Sequence, residues 1–242
     1  LEFRRVLFRS EKLAAQIRQV CPQAQVYVAR DIDGIKALTS DIDVLITWPF
    51  IDRRIEDFCA GAASLRWIHA FTAGVDGIVK SRLGEMDLKI TATKGIHGPA
   101  ISDHVLACIF SSLRNFPALL AFQRQKVWYR SREFPDMPEL ATEESEGKTV
   151  GVIGMGSIGT CIARKCKLLG MRVVGLRRTP APGEWIDACY SPGELDRLLN
   201  ESDFVVIAAP ATSETVGMIG KDQFEQMKRS AYLINISRGS VV

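Results

Sequence analysis

A chain of 242 residues exceeds one average domain and can bury a sizeable core; with 47% hydrophobic and 24% charged residues it is neither disordered nor a disulfide scaffold. The formal charge of +3 is no nucleic-acid signal: Arg4, Arg5 and Arg9 against Glu2 place two of those charges in the first ten residues, leaving the remainder nearly neutral. No apolar run reaches the roughly 20 residues of a membrane helix, no secretory h-region opens the chain, and the six cysteines show no CxxC and no histidine at metal-ligand spacing, the pattern of reduced thiols in a cytoplasmic protein.

Residues 1–10 read either as a foreign leader or, over 5–8, as the remnant of a first strand. Residues 12–20 have helical spacing, with Leu13, Ile17 and Val20 on one side. Strands follow at 25–29 and, after a polar turn at Asp41, at 43–47. Asp52 is suited to cap a helix over 52–60. A third strand at 65–69 runs into Thr72-Ala-Gly-Val-Asp76, and 88–92 gives a fourth. Such alternation predicts βαβ units and a mainly parallel sheet.

Residues 99–125 form a long helical pattern interrupted by Pro117, and 134–146, rich in Pro, Glu and Ser, read as an exposed loop. A second βαβ series comes next. It has strands at 148–153, 172–176, 203–208 and 232–236, a short edge strand at 188–190, and helices at 157–169, 193–200 and 221–227. The fold class is α/β, in two domains divided at 96/97.

Within the second series, Gly154, Gly156 and Gly159 form a GxGxxG after an apolar strand and at the opening of an amphipathic helix. Gly154 permits the tight turn, Gly156 lets a pyrophosphate approach the backbone beside Met155, and Gly159 lets helix and strand pack closely. The amides of Ser157 and Ile158 then face the phosphates with the helix dipole behind them. A glycine-rich turn without ligand is the alternative. At the end of the next strand, where an NAD site places an acid, the chain has Arg177-Arg178-Thr179. Two guanidiniums and a hydroxyl attract a 2′-phosphate that a carboxylate would repel, so NADP(H) is preferred and NAD(H) possible. A solvated arginine pair is the bland reading of the same residues.

The run EGKTVGVIGMGSIG over 146–159 resembles the cofactor-domain opening of the D-isomer-specific 2-hydroxyacid dehydrogenases. Ala209-Pro210-Ala-Thr212 through Thr215, Phe224, Met227-Lys228 and LINISRG over 233–239 continue that family's pattern in order, and LRWI at 65–68 and Ala73-Gly74-Val75-Asp76 resemble its substrate domain. The arginine loop is similar to that of the NADPH-using glyoxylate and hydroxypyruvate reductases, as, more faintly, is Trp48.

The resemblance implies two Rossmann-like doubly wound domains: a flavodoxin-like substrate domain over 1–96 and a dinucleotide-binding domain over 97–242, with the active cleft between them. It implies hydride transfer from NAD(P)H to a small 2-oxo acid, giving a D-2-hydroxy acid. Arg238 would hold the substrate carboxylate and polarise its carbonyl. Ala73 and the amides of Gly74 and Val75 would receive the carboxylate, while Asp76 caps the following helix. Ala209, Pro210 and Thr215 would line the cofactor, with Ile236 and Ser237 near its nicotinamide end. The family's general-acid histidine and its carboxylate partner lie beyond the Arg-Gly motif. The chain stops three residues after Gly239, so both domains are expected to be incomplete and turnover to be low.

His69, His97 and His104 are read as packing or surface residues, and Ser102-Asp103-His104 as interdomain structure in which Asp103 replaces the family's Glu. The intact protein is expected to be a homodimer with no nucleic-acid or membrane partner. A non-catalytic nucleotide-sensing or corepressor-like module is the alternative function. Arg238 and the 73–76 turn favour the enzyme, because a sensor needs no carboxylate clamp. Formate and phosphoglycerate dehydrogenases share the fold, and the arginine loop argues against them.

Overall fold

A computed structural model of the chain describes residues 5–8, 11–29, 42–47, 53–128 and 142–242. The expectations for the turn at Asp41, for Trp48, for the Asp52 cap and for most of the 134–146 loop lie outside these residues. The chain divides into two compact units, Leu1–Ile96 and His97–Val242.

The first unit runs β1 (Arg5–Phe8), α1 (Glu11–Val20), β2 (Gln25–Val28), β3 (Val44–Thr47), α2 (Arg53–Gly61), β4 (Trp67–Ala70), α3 (Asp76–Val79) and β5 (Lys89–Ala92), with a 3-10 turn at Arg82–Glu85. All its strand pairs are parallel, in the order β2-β1-β3-β4-β5, which is the flavodoxin-like winding. Arg5–Phe8 is a strand, as one reading of the first residues expects, and it pairs on both sides within the sheet. Ile42, Leu45, Ile68, Ala70, Ile78 and Leu83 form the core beneath the helices.

The third strand begins at Trp67 and not at Leu65, because the Leu65 N–H still closes the end of α2 on Ala62 O at 3.0 Å. The inner face of α1 is also rotated from the expected one. Ala14 is its buried residue, while Leu13 is 38% and Val20 87% exposed. Ile17 of the expected stripe is half-buried, while Ala14 and Cys21, each one position on, turn inward in place of Leu13 and Val20.

The second unit starts with α4 (Gly98–Leu113) and α5 (Phe116–Arg124). The break between them comes at Asn115, whose φ of 49° is left-handed, and not at Pro117. That proline lies in the first turn of α5, where no amide is needed. The two helices are bent by 70°, and among the described residues no single helix is long and apolar enough to cross a membrane.

Then follow β6 (Thr149–Ile153), α6 (Ser157–Leu168), β7 (Arg172–Leu176), β8 (Ala188–Tyr190), α7 (Leu195–Glu201), β9 (Phe204–Ile207), α8 (Lys221–Gln226) and β10 (Tyr232–Asn235). The predicted helix at 193–200 begins as a 3-10 turn, Pro192–Glu194, held by Ser191 and Glu194. The sheet is parallel, in the order β10-β9-β6-β7-β8. Alternation sends Val150, Val152, Val173 and Phe204 towards α4 and α6, and Ile153, Val174, Val205 and Ile207 towards α7. Burial on both faces explains why these strands read as continuous apolar runs.

Two carboxylates secure the N-terminal edge of this sheet. Asp203, expected to open a strand, lies just before β9, where its Oδ2 accepts from Thr149 N at 2.8 Å and its Oδ1 from Lys228 Nζ at 2.8 Å. Asp187 does the same for β7, accepting from Val173 N at 2.8 Å and from Lys167. Burial pushes the Asp203 carboxyl upward, but the Lys228 and Thr149 hydrogen bonds outweigh it and hold the pKa below the usual carboxylate range. A depressed folded pKa gives stability that is present above the unfolded value and lost as pH falls through the folded one. Asp203→Asn should therefore cost about 1–3 kcal/mol at neutral pH. In urea unfolding, the gap from wild type should narrow steadily once the pH falls below about 4.

Candidate functional site

The corner from β6 into α6 is shaped by the absence of Cβ atoms. Gly154 has φ +99°, and a Cβ there would sit 2.5 Å from Ala209 N, so the turn lies directly against the chain leaving β9. A Cβ on Gly159 would fall 2.0 Å from Gly154 O, which is how closely the first turn of α6 packs on the loop. At Gly156 a Cβ would meet nothing within 4 Å. Gly156 is also the N-cap of α6 and offers no side-chain cap. The opening amides of the helix thus have neither a capping side chain nor a Cβ wall in front of them, which is the arrangement a diphosphate fits.

A cleft of about 500 Å³ opens beside this corner. Of the predicted cofactor residues, Gly154, Met155, Gly156, Arg177, Arg178, Thr179, Ala209, Pro210 and Thr215 line it together. The structure does not bring Ser157, Ile158, Gly159, Ile236 or Ser237 into that lining. Gly159 is buried behind the loop, and Ile236 packs against the core of the α6 side. The side chain of Met155 lies over Gly175 of β7, where a Cβ would come within 2.9 Å of Met155 Cγ. Its contribution is therefore a floor and a backbone edge.

Sequence reasoning missed Ile153, Leu176, Pro192, Thr212, Ser213, Glu214 and Met218, which complete the lining. Thr212, Ser213 and Glu214 lay inside the 209–215 motif and were legible there. Thr215 lines the cleft, but its hydroxyl is occupied within the loop: it donates to Pro210 O at 2.6 Å and accepts from Thr212 N at 2.8 Å. Arg177, Arg178 and Thr179 are all exposed at the end of β7, with no carboxylate among them.

Arg238 follows β10 on a turn that is firmly held. Asn235 Nδ2 donates to Arg238 O at 2.8 Å, and Asn235 Oδ1 accepts from Ser237 N at 3.0 Å. Ser237 Oγ donates to Ala209 O, tying this turn to the cleft wall. Beyond Arg238 a 3-10 turn, Gly239–Val241, buries Val241 completely, and Ser240 O and Val241 O accept from Gly217 N and Ile219 N at 2.8 and 3.0 Å. Arg238 itself is exposed, with Nη1 donating to Ser237 O at 3.2 Å. Asn235 is the asparagine of the Asn-x-x-Arg-Gly setting that marks Arg238 in the sequence, and its role is to hold that turn.

In the first unit, the 72–76 segment forms a tight turn. Thr72 Oγ1 donates to Gly74 O at 2.7 Å and accepts from Gly74 N at 3.0 Å. The Gly74 amide, expected to await a carboxylate, already has a partner. Asp76 is not the cap of α3: Val75 occupies that position without a side-chain cap, and Asp76 stands in the first turn. There its charge complements the helix dipole.

Among the histidines, His69 is half-buried within β4, bonded by Thr91 and Thr93. His97 is the N-cap residue of α4, with Nε2 buried and without a partner. His104 is exposed, 3.7 Å from Cys108 Sγ. Asp103 pairs with Lys165, and Ser102 Oγ lies 3.4 Å from Cys161 Sγ. These two residues, expected to be interdomain structure, tie α4 to α6 inside the second unit. Among the described residues no cluster of three or more His, Cys, Asp or Glu could hold a metal ion.

The family described as "D-isomer specific 2-hydroxyacid dehydrogenase, NAD binding domain" matches residues 106–242. A glyoxylate reductase of Thermococcus gammatolerans is 33% identical over 205 residues, covering 84% of this chain and 60% of its own. One of Pyrococcus furiosus is 33% identical over 218 residues, covering 88% and 64%. The chain thus spans less than two thirds of the length of these curated relatives. The crystal structure of a D-isomer specific 2-hydroxyacid dehydrogenase family protein from Aeromonas salmonicida superposes with a TM-score of 0.85 at 27% identity, over 100% of this chain and 75% of that one. A Xanthobacter autotrophicus member solved with NADPH and MES, 24% identical, shares the fold with a TM-score of 0.79 over 100% and 74%. With the family's domain matched across more than half of its length, the chain belongs to the D-isomer specific 2-hydroxyacid dehydrogenases.

Proposed function

We propose that the protein reduces a small 2-oxo acid of the glyoxylate or hydroxypyruvate type to a D-2-hydroxy acid, using a pyridine dinucleotide held in the cleft of the second unit. The observation that carries this reading is the uncapped, side-chain-free opening of α6 at the wall of that cleft. The firmly held Arg238 and the resemblance to glyoxylate reductases support it. Bound dinucleotide supplies a hydride from nicotinamide C4. This chain's own part is to hold and orient the partners.

The amides of Ser157 and Ile158 would hold the diphosphate, Ala209 and Pro210 would lie along the cofactor, and Ile236 and Ser237, outside the cleft lining, are assigned to its nicotinamide end. Arg238 takes the substrate carboxylate and draws charge from its carbonyl, a fork matched to two oxygens. In the first unit, Ala73 and the amides of Gly74 and Val75 are assigned to a substrate carboxylate, which must compete with Thr72 Oγ1 for the Gly74 N–H. NADP(H) is preferred over NAD(H), because Arg177, Arg178 and Thr179 line the cleft with no acid among them. A cytoplasmic homodimer assembled through the second unit completes the reading; the exposed Phe116, Leu119 and Leu120 of α5 support that association.

Fluorescence titration with NADPH and NADH tests the cofactor assignment. Replacing both Arg177 and Arg178 with Ser should weaken NADPH by about 2 kcal/mol, roughly thirtyfold, and leave NADH nearly unchanged. Equal loss for both dinucleotides, or no binding of either to the wild type, would overturn it. Gly156→Val should abolish binding of both without lowering the melting temperature, since its side chain enters open space. Arg238→Gln should keep NADPH affinity and lower kcat/KM for glyoxylate by about 10²-fold or more. If turnover does not depend on Arg238, the carboxylate clamp is wrong.

A further inference from the structure

On one face of the first sheet, parallel register sets His69 of β4 opposite Thr91 of β5. Trp67 Nε1–H donates to Thr91 Oγ1 at 2.7 Å. Thr91 Oγ1 lies 2.8 Å from His69 Nδ1, and His69 Nε2 lies 3.2 Å from Thr93 Oγ1. Thr93 Oγ1 in turn reaches Ala70 O at 3.3 Å. The imidazole is gripped edge-on by two rings, with centroids 6.2 Å from Trp67 and 5.3 Å from Phe71, so its plane is fixed as well as its contacts.

The direction of this chain follows from its first bond. An indole N–H only donates, so Thr91 Oγ1 accepts there and has its own proton for His69 Nδ1. With Nδ1 accepting, the ring proton lies on Nε2 and goes to Thr93, whose proton goes to Ala70 O. The opposite tautomer points two N–H groups at Thr91 and displaces that hydroxyl's proton from the chain. The imidazolium does the same and adds a charge at a half-buried site, where desolvation already holds His69 below the usual histidine range.

Thr93 is the junction to the neighbouring turn. Its backbone N–H lies 3.1 Å from both Ala70 O and Thr72 O, and Thr72 Oγ1 closes on both the N–H and the carbonyl of Gly74. We propose that His69 is a positioning residue, held neutral with its proton on Nε2, that fixes Thr93 and through it the Thr72–Val75 turn to which the substrate carboxylate is assigned. Only the role of that turn rests on the function proposed above; the tautomer and the ordering of the turn do not.

Nitrogen-15 NMR of histidine-labelled protein at about pH 7 reads the tautomer directly. His69 Nδ1 should fall in the unprotonated range and Nε2 in the protonated range; a protonated Nδ1, in either form, overturns the proposal. Amide hydrogen exchange then reads the ordering. His69→Leu should speed exchange of Gly74 and Val75 by about tenfold while β6 amides of the second unit keep their protection. His69→Gln, which offers an acceptor and a donor on one planar group, should restore exchange to within about threefold of wild type. Unchanged exchange in the leucine variant, or no rescue by glutamine, also overturns it. Should the leucine variant not fold, the wild-type tautomer and the glutamine variant decide the matter. If glyoxylate is not turned over while tautomer and exchange behave as stated, the proposed function falls and the positioning of the turn stands.

Discussion

The second unit depends on backbone meeting backbone where β6 enters α6. No side chain larger than hydrogen fits at Gly159, which lies on the Gly154 carbonyl, or at Gly154, which lies on Ala209. Gly151, within β6, is likewise covered by Leu198 and Ser202 from the other face. These contacts place the helix axis over the strand and bring the chain leaving β9 alongside the loop. Strand order does the rest: β6 has β9 on one side and β7 on the other, so the chain reverses winding direction at this strand. Loops leaving the C-terminal ends of β6, β7 and β9 must diverge there, and a crevice is the geometric consequence.

The polar groups of this sheet are distributed accordingly. At its N-terminal edge, Asp187 and Asp203 each accept from a strand amide and a lysine, so their charges are consumed in holding strands together. At its C-terminal edge the lining combines glycine, proline and small residues with apolar Ile153, Met155, Leu176 and Met218 and with two arginines, and Glu214 is its carboxylate. A sheet whose acids are used at one edge and whose cations and open amides gather at the other is suited to an anionic ligand at the second edge.

How much of this was legible in the sequence varies with the kind of force involved. The strands of the second unit were found to within about one residue, because burial on both faces writes a continuous apolar run. The glycine corner was legible by spacing, although the partner of Gly154, Ala209, is set only by the sheet order. The face of α1 was misread because Leu13 and Val20 give a strong apolar signal while Ala14, the residue that packs, gives a weak one. The break at Asn115 was hidden behind Pro117, which marks a helix start equally well. Thr72 acts through hydrogen bonds inside a short turn, which leave no periodic trace, whereas Asn235 and Thr215 are legible only through the motifs that contain them. Likewise, Asp76 has the composition of a cap but stands one position too late to be one.

The two segments for which carboxylate binding is proposed, one in each unit, are ordered by different means. The Arg238 turn is anchored by a buried apolar plug, Val241, together with backbone bonds to Gly217 and Ile219 and the Asn235 side chain. The plug itself is non-directional and tolerates small shifts, while the hydrogen bonds around it stiffen the backbone from which Arg238 projects. The 72–75 turn leans on a directional relay of hydroxyls and rings, where each proton has one place and one misplaced donor disorders the series. A guanidinium on a flexible stem can search for its ligand from a stiff base, whereas backbone amides have no such reach and must be aimed beforehand. The more exacting ordering device therefore stands under the segment that has only main-chain atoms to offer.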